Sequence, residues 1–330
     1  MNTRCSNFDR IHLINVFKLI FLLLLILDSG CSSEEIKPAT TFSTDYELIE
    51  EETDSLLLMA GSMAINLEKI DADFARTKMV NRCIDVWNDM DTTKYVHAKD
   101  KVIKSGVYKF DCSGFAGEIV IKTVLPDHFD DLDKHRGTIV DTSGISNLHI
   151  TRPLAGSMYD YFRDTILMDP DNLVKTNQYW KVFTTIDSLE RGDLIIARYN
   201  DNWRVKQKNN TTGHVMIAWE IASVNSLNEV NIQVMDATSS GHTSAIDTRS
   251  SWKHPVAEKI KGSNGECHNS GIGFGKMTYK ISNNEHRRPY AYTWSLKNSK
   301  SKWYNLYTGD DISEGSNYDR LEGIIFARPL

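Results

Sequence analysis

The sequence predicts an α+β fold, in which helices pack on a mainly antiparallel β-sheet. In the first part of the chain, apolar residues recur at helical spacing. After about residue 190, β-branched runs alternate with polar, turn-like segments. Helices therefore come first and strands follow, without the βαβ alternation that is typical of a parallel sheet.

Two helical segments are predicted. The first runs from Ser55 to about Met90, as one long helix or two in tandem, and carries Cys83 on its apolar face. The second is FDCSGFAGEIVIKTVL, with Asp111 as its N-cap. Residues 126–190 are interpreted as a loop followed by a helix.

The predicted strands share β-branched or aromatic residues and polar boundaries. They are residues 191–199, 213–224, 229–238, 273–282, 291–296 and 323–330. We find no internal repeat at a fixed period.

Residues 1–31 are interpreted as a lipoprotein signal peptide. Basic residues flank the apolar run VFKLIFLLLLIL, which is too short for an ordinary spanning helix. The run ends in LDSGC, which resembles the lipobox of bacterial lipoproteins and implies lipidation of Cys31. Asp28 stands where those proteins usually carry leucine. A plain signal peptide with an incidental cysteine is the alternative.

Residues 32–54 are polar and acidic, without an apolar period, and are interpreted as a flexible tether. The folded domain is then expected over residues 55–330. Together these features predict a protein of the bacterial envelope, lipid-anchored and either periplasmic or exposed at the cell surface.

The composition is that of an ordinary globular protein, with 41% hydrophobic and 25% charged residues. The net charge of −6 argues against nucleic acid as a partner, because phosphate binding needs a basic face. The cluster from His128 to His135 lacks regular metal-ligand spacing and is interpreted as a solvated loop. We expect a monomer without metal or cofactor.

Cysteine usage leaves a free thiol in the mature protein. Cys5 would leave with the signal peptide, and Cys31 would carry lipid. Cys83, Cys112 and Cys267 remain, so at most one disulfide can form. If Cys83 pairs with Cys267, Cys112 is the free residue.

Cys112 is the candidate nucleophile. It lies in the first turn of the second predicted helix, where unpaired N–H groups favour a thiolate. Gly114 and Gly117 would leave room near the sulfur for a substrate. A buried, inert cysteine in an amphipathic helix is the alternative.

Two later strands carry possible partners for this cysteine. His214 opens the strand GHVMIAWEIASV, and Asp236 continues the apolar row of the next strand. A carboxylate in an apolar row needs a partner. The imidazole of His214 would supply one, and its other nitrogen would face Cys112. His242 could replace Asp236 in orienting the histidine.

The order of four motifs, D-C-S-G-F, R-G-D-L-I, G-H-V-M-I and V-M-D-A, resembles the NlpC-type cell-wall cysteine peptidases. The resemblance covers about residues 93–240, with an insertion at 121–190, and leaves a C-terminal extension at 255–330. It implies a papain-like fold and a thiol protease that cleaves peptidoglycan stem peptides.

The resemblance also implies roles for individual residues. Cys112 would be the nucleophile, His214 the general base and Asp236 the orienting residue. Tyr95, in the segment before the nucleophile, would hydrogen-bond the oxyanion. The residues that flank the cysteine would bind a free substrate amine; they are Asp111 and Ser113.

The function that follows is a hydrolase that cleaves amide bonds of stem peptides through an acyl-enzyme. An N-acetylmuramoyl-alanine amidase or an acyltransferase on the same fold are alternatives. A non-catalytic wall-binding lipoprotein is the alternative from outside the enzymes.

Overall fold

A computed structural model of the chain describes part of its 330 residues. The described residues are 75–97, 102–140, 147–148, 151–169, 171–226, 228–239, 241–242, 247–249, 256–257, 259–261, 267–283, 286–294, 303–308 and 317–330. All of them belong to one compact unit, Leu67–Leu330. The predicted signal peptide with Cys31, the tether and the start of the first predicted helix lie outside the described residues.

The helices are short apart from the first, and two of them, α2 and α6, are wound as π-helices. They are α1 Ala75–Asp89, α2 Gly114–Ile121, α3 Lys122–Val124, α4 Pro126–Lys134, α5 Ala155–Asp160, α6 Tyr161–Leu167 and α7 Asp201–Lys206. No helix in the described part of the chain is long and apolar enough to cross a membrane.

Strands make up most of the remaining regular structure. They are β1 Thr92–Tyr95, β2 Val102–Lys104, β3 Val107–Phe110, β4 Ile139–Val140, β5 Asn147–Leu148, β6 Val174–Thr176, β7 Trp180–Phe183, β8 Leu194–Tyr199, β9 Gly213–Ser226, β10 Glu229–Thr238, β11 Val256–Ala257, β12 Lys259–Lys261, β13 Cys267–Asn269, β14 Gly271–Ile281, β15 Pro289–Thr293, β16 Trp303–Leu306 and β17 Asn317–Pro329.

Seven of these strands close into a β-barrel. Their order is β16-β15-β14-β10-β9-β8-β17, and β17 pairs with β16 to complete the ring. The closing pair is parallel, and the other neighbours in the ring are antiparallel. The first part of β17 pairs with β16, and its end pairs with β7, from which β6 continues the sheet.

The prediction of a papain-like α+β fold is therefore wrong. The described part of the protein is mostly β, with a closed seven-stranded barrel and few helices. The strand runs could be read from the sequence, but their closure could not, because it depends on the pairing of β16 with β17. The prediction did not include β16, a four-residue strand with two half-buried side chains and an exposed end.

The region predicted as a loop followed by a helix is also more regular than expected. Pro126 starts α4 without an intervening loop, and Phe129 and Leu132 are its buried apolar side chains at i and i+3 spacing. The helices α5 and α6, the short strands β4 to β7 and a 3₁₀ turn at Ile186–Ser188 follow before residue 190.

Successive side chains of the barrel strands point to opposite faces of the barrel wall, so they contribute to two separate apolar cores. On β9, Met216 and Ala218 join the cluster that takes side chains from β8, β10, β14, β15 and β17. Val215 and Ile217 face the other way and join the cluster that contains the helices. The barrel wall thus has an inner face and a helix-covered outer face.

A small second sheet has the order β11-β1-β3-β2, and its strands β1 to β3 come directly before the second helix in the chain. It is tied to the barrel where the Ile272 N–H donates to Thr93 Oγ1 at 2.8 Å. Because β3 ends at Phe110, this sheet delivers the chain to Asp111 and Cys112 at the barrel wall.

Candidate active site

Cys112 lies where the chain passes from β3 into helix. The Asp111 side chain accepts a hydrogen bond from the Gly114 N–H at 2.8 Å, as an N-cap does. The Asp111 carbonyl then accepts the first helical bond, from the Phe115 N–H at 2.9 Å. Cys112 is buried, with 5% of its surface exposed, and lines a cleft.

The two glycines after the cysteine do not face this cleft. A Cβ atom at Gly117 would meet the end of Met158, 3.3 Å away, and the Phe129 ring. A Cβ at Gly114 would meet Asp111 and Phe110. The interpretation that they leave room for a substrate is therefore wrong, because their free sides face packed protein.

His214 is positioned by the glycine before it. Gly213 has φ +151°, and a Cβ there would lie 2.0 Å from the Ala197 carbonyl oxygen of β8. Only glycine lets β9 start this close to its neighbour. His214 then pairs in register with Ala197 and points to the same side of the barrel wall as Met216.

The structure brings the three predicted residues Cys112, His214 and Asp236 together. His214 Nε2 lies 2.7 Å from Asp236 Oδ2. The His214 side chain also interacts with Cys112, its second neighbour in the site. Cysteine, imidazole and carboxylate therefore form one chain of contacts that runs inward from the cleft.

His214 keeps a proton at neutral pH. Burial lowers the pKa of an imidazole, because it disfavours the charged form. The negative charge at Cys112 and the hydrogen bonds to Asp236 and Cys112 outweigh burial and raise the pKa of His214 to about 9. The arrangement thus favours an imidazolium between a sulfur and a carboxylate.

Asp236 is fully buried and stays ionised. Burial alone would raise the pKa of its carboxyl. The positive charges of His242 and Arg249 hold the pKa of Asp236 well below its usual range, and the hydrogen bond from His214 acts in the same direction.

Asp236 has partners on both carboxylate oxygens. Arg249 Nη1 donates to Oδ1 at 2.9 Å, and His242 Nε2 lies 3.0 Å from Oδ2, the oxygen that also holds His214. His242 was considered as a replacement for Asp236, but it contacts the same carboxylate and leaves Asp236 in place.

A second carboxylate completes this network. Asp247 accepts two hydrogen bonds from the Arg249 guanidinium, at 3.1 and 3.0 Å, one from the Arg249 backbone N–H and one from the His242 backbone N–H. The other ring nitrogen of His242 faces the Lys276 carbonyl oxygen at 3.1 Å. Both ring nitrogens of His242 therefore face acceptors, and Arg249 lies between the two buried carboxylates and binds each of them.

The sequence carried a signal for this network that the sequence reasoning missed. Strand β14 begins G-I-G-F-G, and its Gly273 pairs with Asp236. A Cβ at Gly275 would lie 2.6 Å from the His242 ring, and a Cβ at Gly273 would lie 2.9 Å from Arg249. Alternate glycines on one face of a strand leave room for these side chains. This pattern indicates that another part of the chain packs closely against the start of β14.

Trp294, at the end of β15, packs against both histidines. Its ring lies 4.6 Å from His214 and 5.3 Å from His242, edge to face in each case. The sequence analysis did not identify this contact. The tryptophan is half-buried and covers one side of the two imidazoles.

The cleft in front of Cys112 has a volume of about 520 Å³, in the range of ligand sites. Tyr95 and Ser113 line it together with the polar loop 207–212. Burial and the charges at Cys112 and Asp111 raise the pKa of Tyr95 well above its usual value. The phenol therefore keeps its proton at neutral pH and can donate a hydrogen bond into the cleft.

Asp111 and Ser113, the predicted amine contacts, hold a side chain of the protein itself. Arg152 Nη2 donates to Asp111 Oδ2 at 2.5 Å, and Arg152 Nη1 donates to Ser113 Oγ at 2.8 Å. Ser113 Oγ in turn donates to Asp111 Oδ1 at 3.1 Å. Arg152 was not identified from the sequence.

The remaining candidates lie outside the cleft. Cys83 is buried in the outer core without a disulfide, and burial raises its pKa to about 12. The side chain of Cys267 lies outside what the structure describes. His128 contacts the Leu330 carbonyl oxygen at 3.2 Å. Within the described ranges, no group of three or more His, Cys, Asp or Glu residues is arranged to hold a metal ion.

Comparison of the chain with protein-family models, with curated proteins and with solved structures finds no significant match.

Proposed function

We propose that this protein is a cysteine hydrolase that cleaves amide bonds by way of an acyl-enzyme. The observation that supports this most strongly is the chain of contacts from Cys112 through His214 to the buried Asp236, which begins at a cleft of about 520 Å³. A nucleophile, a base and an orienting group in this order are the elements of acyl transfer.

In the first half of the reaction, the Cys112 thiolate attacks the amide carbonyl carbon and the carbonyl oxygen becomes an oxyanion. The Tyr95 hydroxyl and the first-turn N–H of Cys112 are the donors available to this oxyanion. His214 gives its proton to the leaving amine, the C–N bond breaks, and a thioester to Cys112 remains.

In the second half, His214 takes a proton from water while the water oxygen attacks the thioester carbonyl. The C–S bond breaks, the carboxylic acid product leaves, and the thiolate and imidazolium are restored. Asp236 stays ionised throughout and holds the Nε2 side of His214.

The substrates that we propose are peptidoglycan stem peptides. Support comes from the sequence: the ordered motifs around Cys112, His214 and Asp236 resemble those of the NlpC-type cell-wall peptidases, and the N-terminal segment resembles that of a bacterial lipoprotein. A lipid-anchored envelope protein would meet this polymer directly.

Digestion of purified muropeptides by the wild-type protein and by Cys112→Ala tests the proposal. We expect new amine and carboxylate ends with the wild type, and none with Cys112→Ala, because the nucleophile is lost. Mass spectrometry of the new N-termini identifies the bond, and separates cleavage within the stem peptide from cleavage at the muramoyl amide.

Cys83→Ala is the matched control, since Cys83 is a buried thiol of the outer core. This variant should digest muropeptides like the wild type. Undiminished digestion by Cys112→Ala would refute the assignment of the nucleophile.

A further inference from the structure

Two side chains set the charge of the cleft wall next to Cys112: Asp111 and Arg152, which form an ion pair. Among the described residues that line the cleft, Asp111 is the one carboxylate. A carboxylate beside the nucleophile would ordinarily attract a substrate with a free ammonium group.

Both oxygens of Asp111 are already occupied. Oδ1 accepts from the Gly114 N–H at 2.8 Å and from Ser113 Oγ at 3.1 Å, while Oδ2 accepts from Arg152 at 2.5 Å. Ser113 Oγ also accepts from Arg152, so one of its lone pairs and its proton are engaged too. An ammonium group that binds here would have to displace the guanidinium or lie directly against its positive charge.

That displacement is costly. Arg152 and Asp111 are 4% and 8% exposed, so their charges are largely withdrawn from water. The Arg152 Nε lies 3.6 Å from Glu118, a second carboxylate that is not part of the cleft lining. Breaking a buried ion pair leaves an uncompensated charge, which proteins tolerate poorly.

The rest of the cleft lining favours the same selectivity. Lys208 also lines the cleft, and its side chain is exposed. The loop around it is otherwise made of uncharged polar residues at positions 207 and 209–212. A positively charged substrate would therefore be repelled by the exposed Lys208, and it would find Asp111 already paired with Arg152.

We infer that Arg152 takes the place of a substrate ammonium and determines which acyl groups the cleft accepts. The favoured substrates carry an acylated, uncharged nitrogen or an anionic group next to the scissile amide, rather than a free α-amine. This inference rests on the proposed function for its substrate class, but the charge selectivity at Cys112 does not require turnover.

The first experiment compares two peptides that differ only in N-acetylation of the residue before the scissile bond. We expect the wild type to cleave the acetylated peptide with a kcat/KM about tenfold higher or more. Arg152→Met should shift this preference about tenfold towards the free amine, because it releases Asp111. Arg152→Lys keeps the cation and should keep the wild-type preference.

The second experiment measures the same selectivity without catalysis. Cys112 is modified at one neutral pH with 2-aminoethyl and 2-sulfonatoethyl methanethiosulfonate, and the rates are divided by those of a small free thiol. The wild type should react with the sulfonate at least as fast as with the ammonium reagent. Arg152→Met should reverse the order, and peptide mass spectrometry confirms that Cys112 is the modified site.

The two experiments separate the inference from the proposed function. If the wild type cleaves neither these peptides nor muropeptides, the proposed function fails, and the reagent rates still decide the inference. The inference is overturned if the wild type favours the free amine or the ammonium reagent about tenfold. It is also overturned if a folded Arg152→Met variant keeps the wild-type order of reagents. If Arg152→Met does not fold, the inference is decided by the wild type alone, through the order of its reaction rates with the two reagents.

Discussion

A single proton on His214 links the residues of the proposed active site. The Cys112 sulfur and the Asp236 carboxylate are both its neighbours, and they hold the pKa of His214 at about 9 although the ring is buried. His242 and Arg249 act one step further away, since they keep Asp236 ionised. Asp247 in turn binds the Arg249 guanidinium, so the site depends on a connected set of buried charged side chains.

The raised pKa of His214 predicts the pH dependence of the reaction. Because the folded-state value lies above the ordinary value of 6.5, the stability gained from protonation is complete below that pH and is lost as the pH rises through about 9. The acid that protonates the leaving amine disappears over the same range. We expect kcat to fall above about pH 9 in a pH–rate profile.

Asp236→Asn should move this alkaline limb to lower pH, because it removes a carboxylate that favours the imidazolium, and should lower kcat by about 10²–10⁴-fold. Cys83→Ala should leave the profile unchanged. An Asp236→Asn variant with the wild-type alkaline limb would show that Asp236 does not hold the proton on His214.

At the scale of elements, the start of β14 determines how closely the segment with His242 can approach Asp236. Gly275→Ala would place a Cβ 2.6 Å from the His242 ring, so the ring must shift. We expect kcat to fall and the free energy of unfolding to drop by about 1–3 kcal/mol, as for overpacked sites. Rate assays and urea titration measure the two effects.

Gly117→Ala is the control for this substitution. Its new Cβ would meet the flexible end of Met158 at 3.3 Å, away from the cleft, and alanine favours a helix more than glycine does. This variant should keep the wild-type kcat. Equal losses of activity in Gly275→Ala and Gly117→Ala would show that the start of β14 does not determine how closely His242 approaches Asp236.

Elements with a clear apolar period could be predicted, and the elements that lack one could not. Strands β8, β9, β10, β14 and β17 coincide with β-branched runs, because each buries side chains on both faces of the wall. Strand β6 is exposed at all three residues and gave no such signal.

The sequence likewise predicted only part of the candidate site. Cys112 was singled out by its place in the first turn of a predicted helix, His214 by opening a strand and Asp236 by continuing an apolar row, and the order of the four motifs linked the three. Arg152 and Arg249 were missed, since a buried arginine has the same local sequence signature as the more common exposed one. Only the fold shows which arginines meet carboxylates.

At the scale of the whole molecule, β17 joins the barrel to its flanking strands. Its Ile325 is 2% exposed and pairs with Ile196 of β8, next to the strand that carries His214. Ile325→Pro should prevent folding, because proline removes a ladder hydrogen bond within the barrel and cannot fill the buried site of the isoleucine side chain. Circular dichroism and thermal melting measure the effect.

Ile325→Val is the conservative comparison, with an expected loss of about 0.5–1.5 kcal/mol in the free energy of unfolding. It should retain muropeptide digestion. A folded, active Ile325→Pro variant would mean that the barrel does not need β17 for its closure.

The closed ring also bears on association between copies of the chain. An edge strand of a sheet offers unpaired N–H and C=O groups to which a strand of another chain can pair. Closure of the barrel removes such edge strands. Among the described strands of the large sheet, β6 ends the row, and it carries Lys175 between two other exposed residues. A short, charged margin of this kind discourages aggregation by strand addition, so β17 protects the solubility of the folded protein as well as its stability.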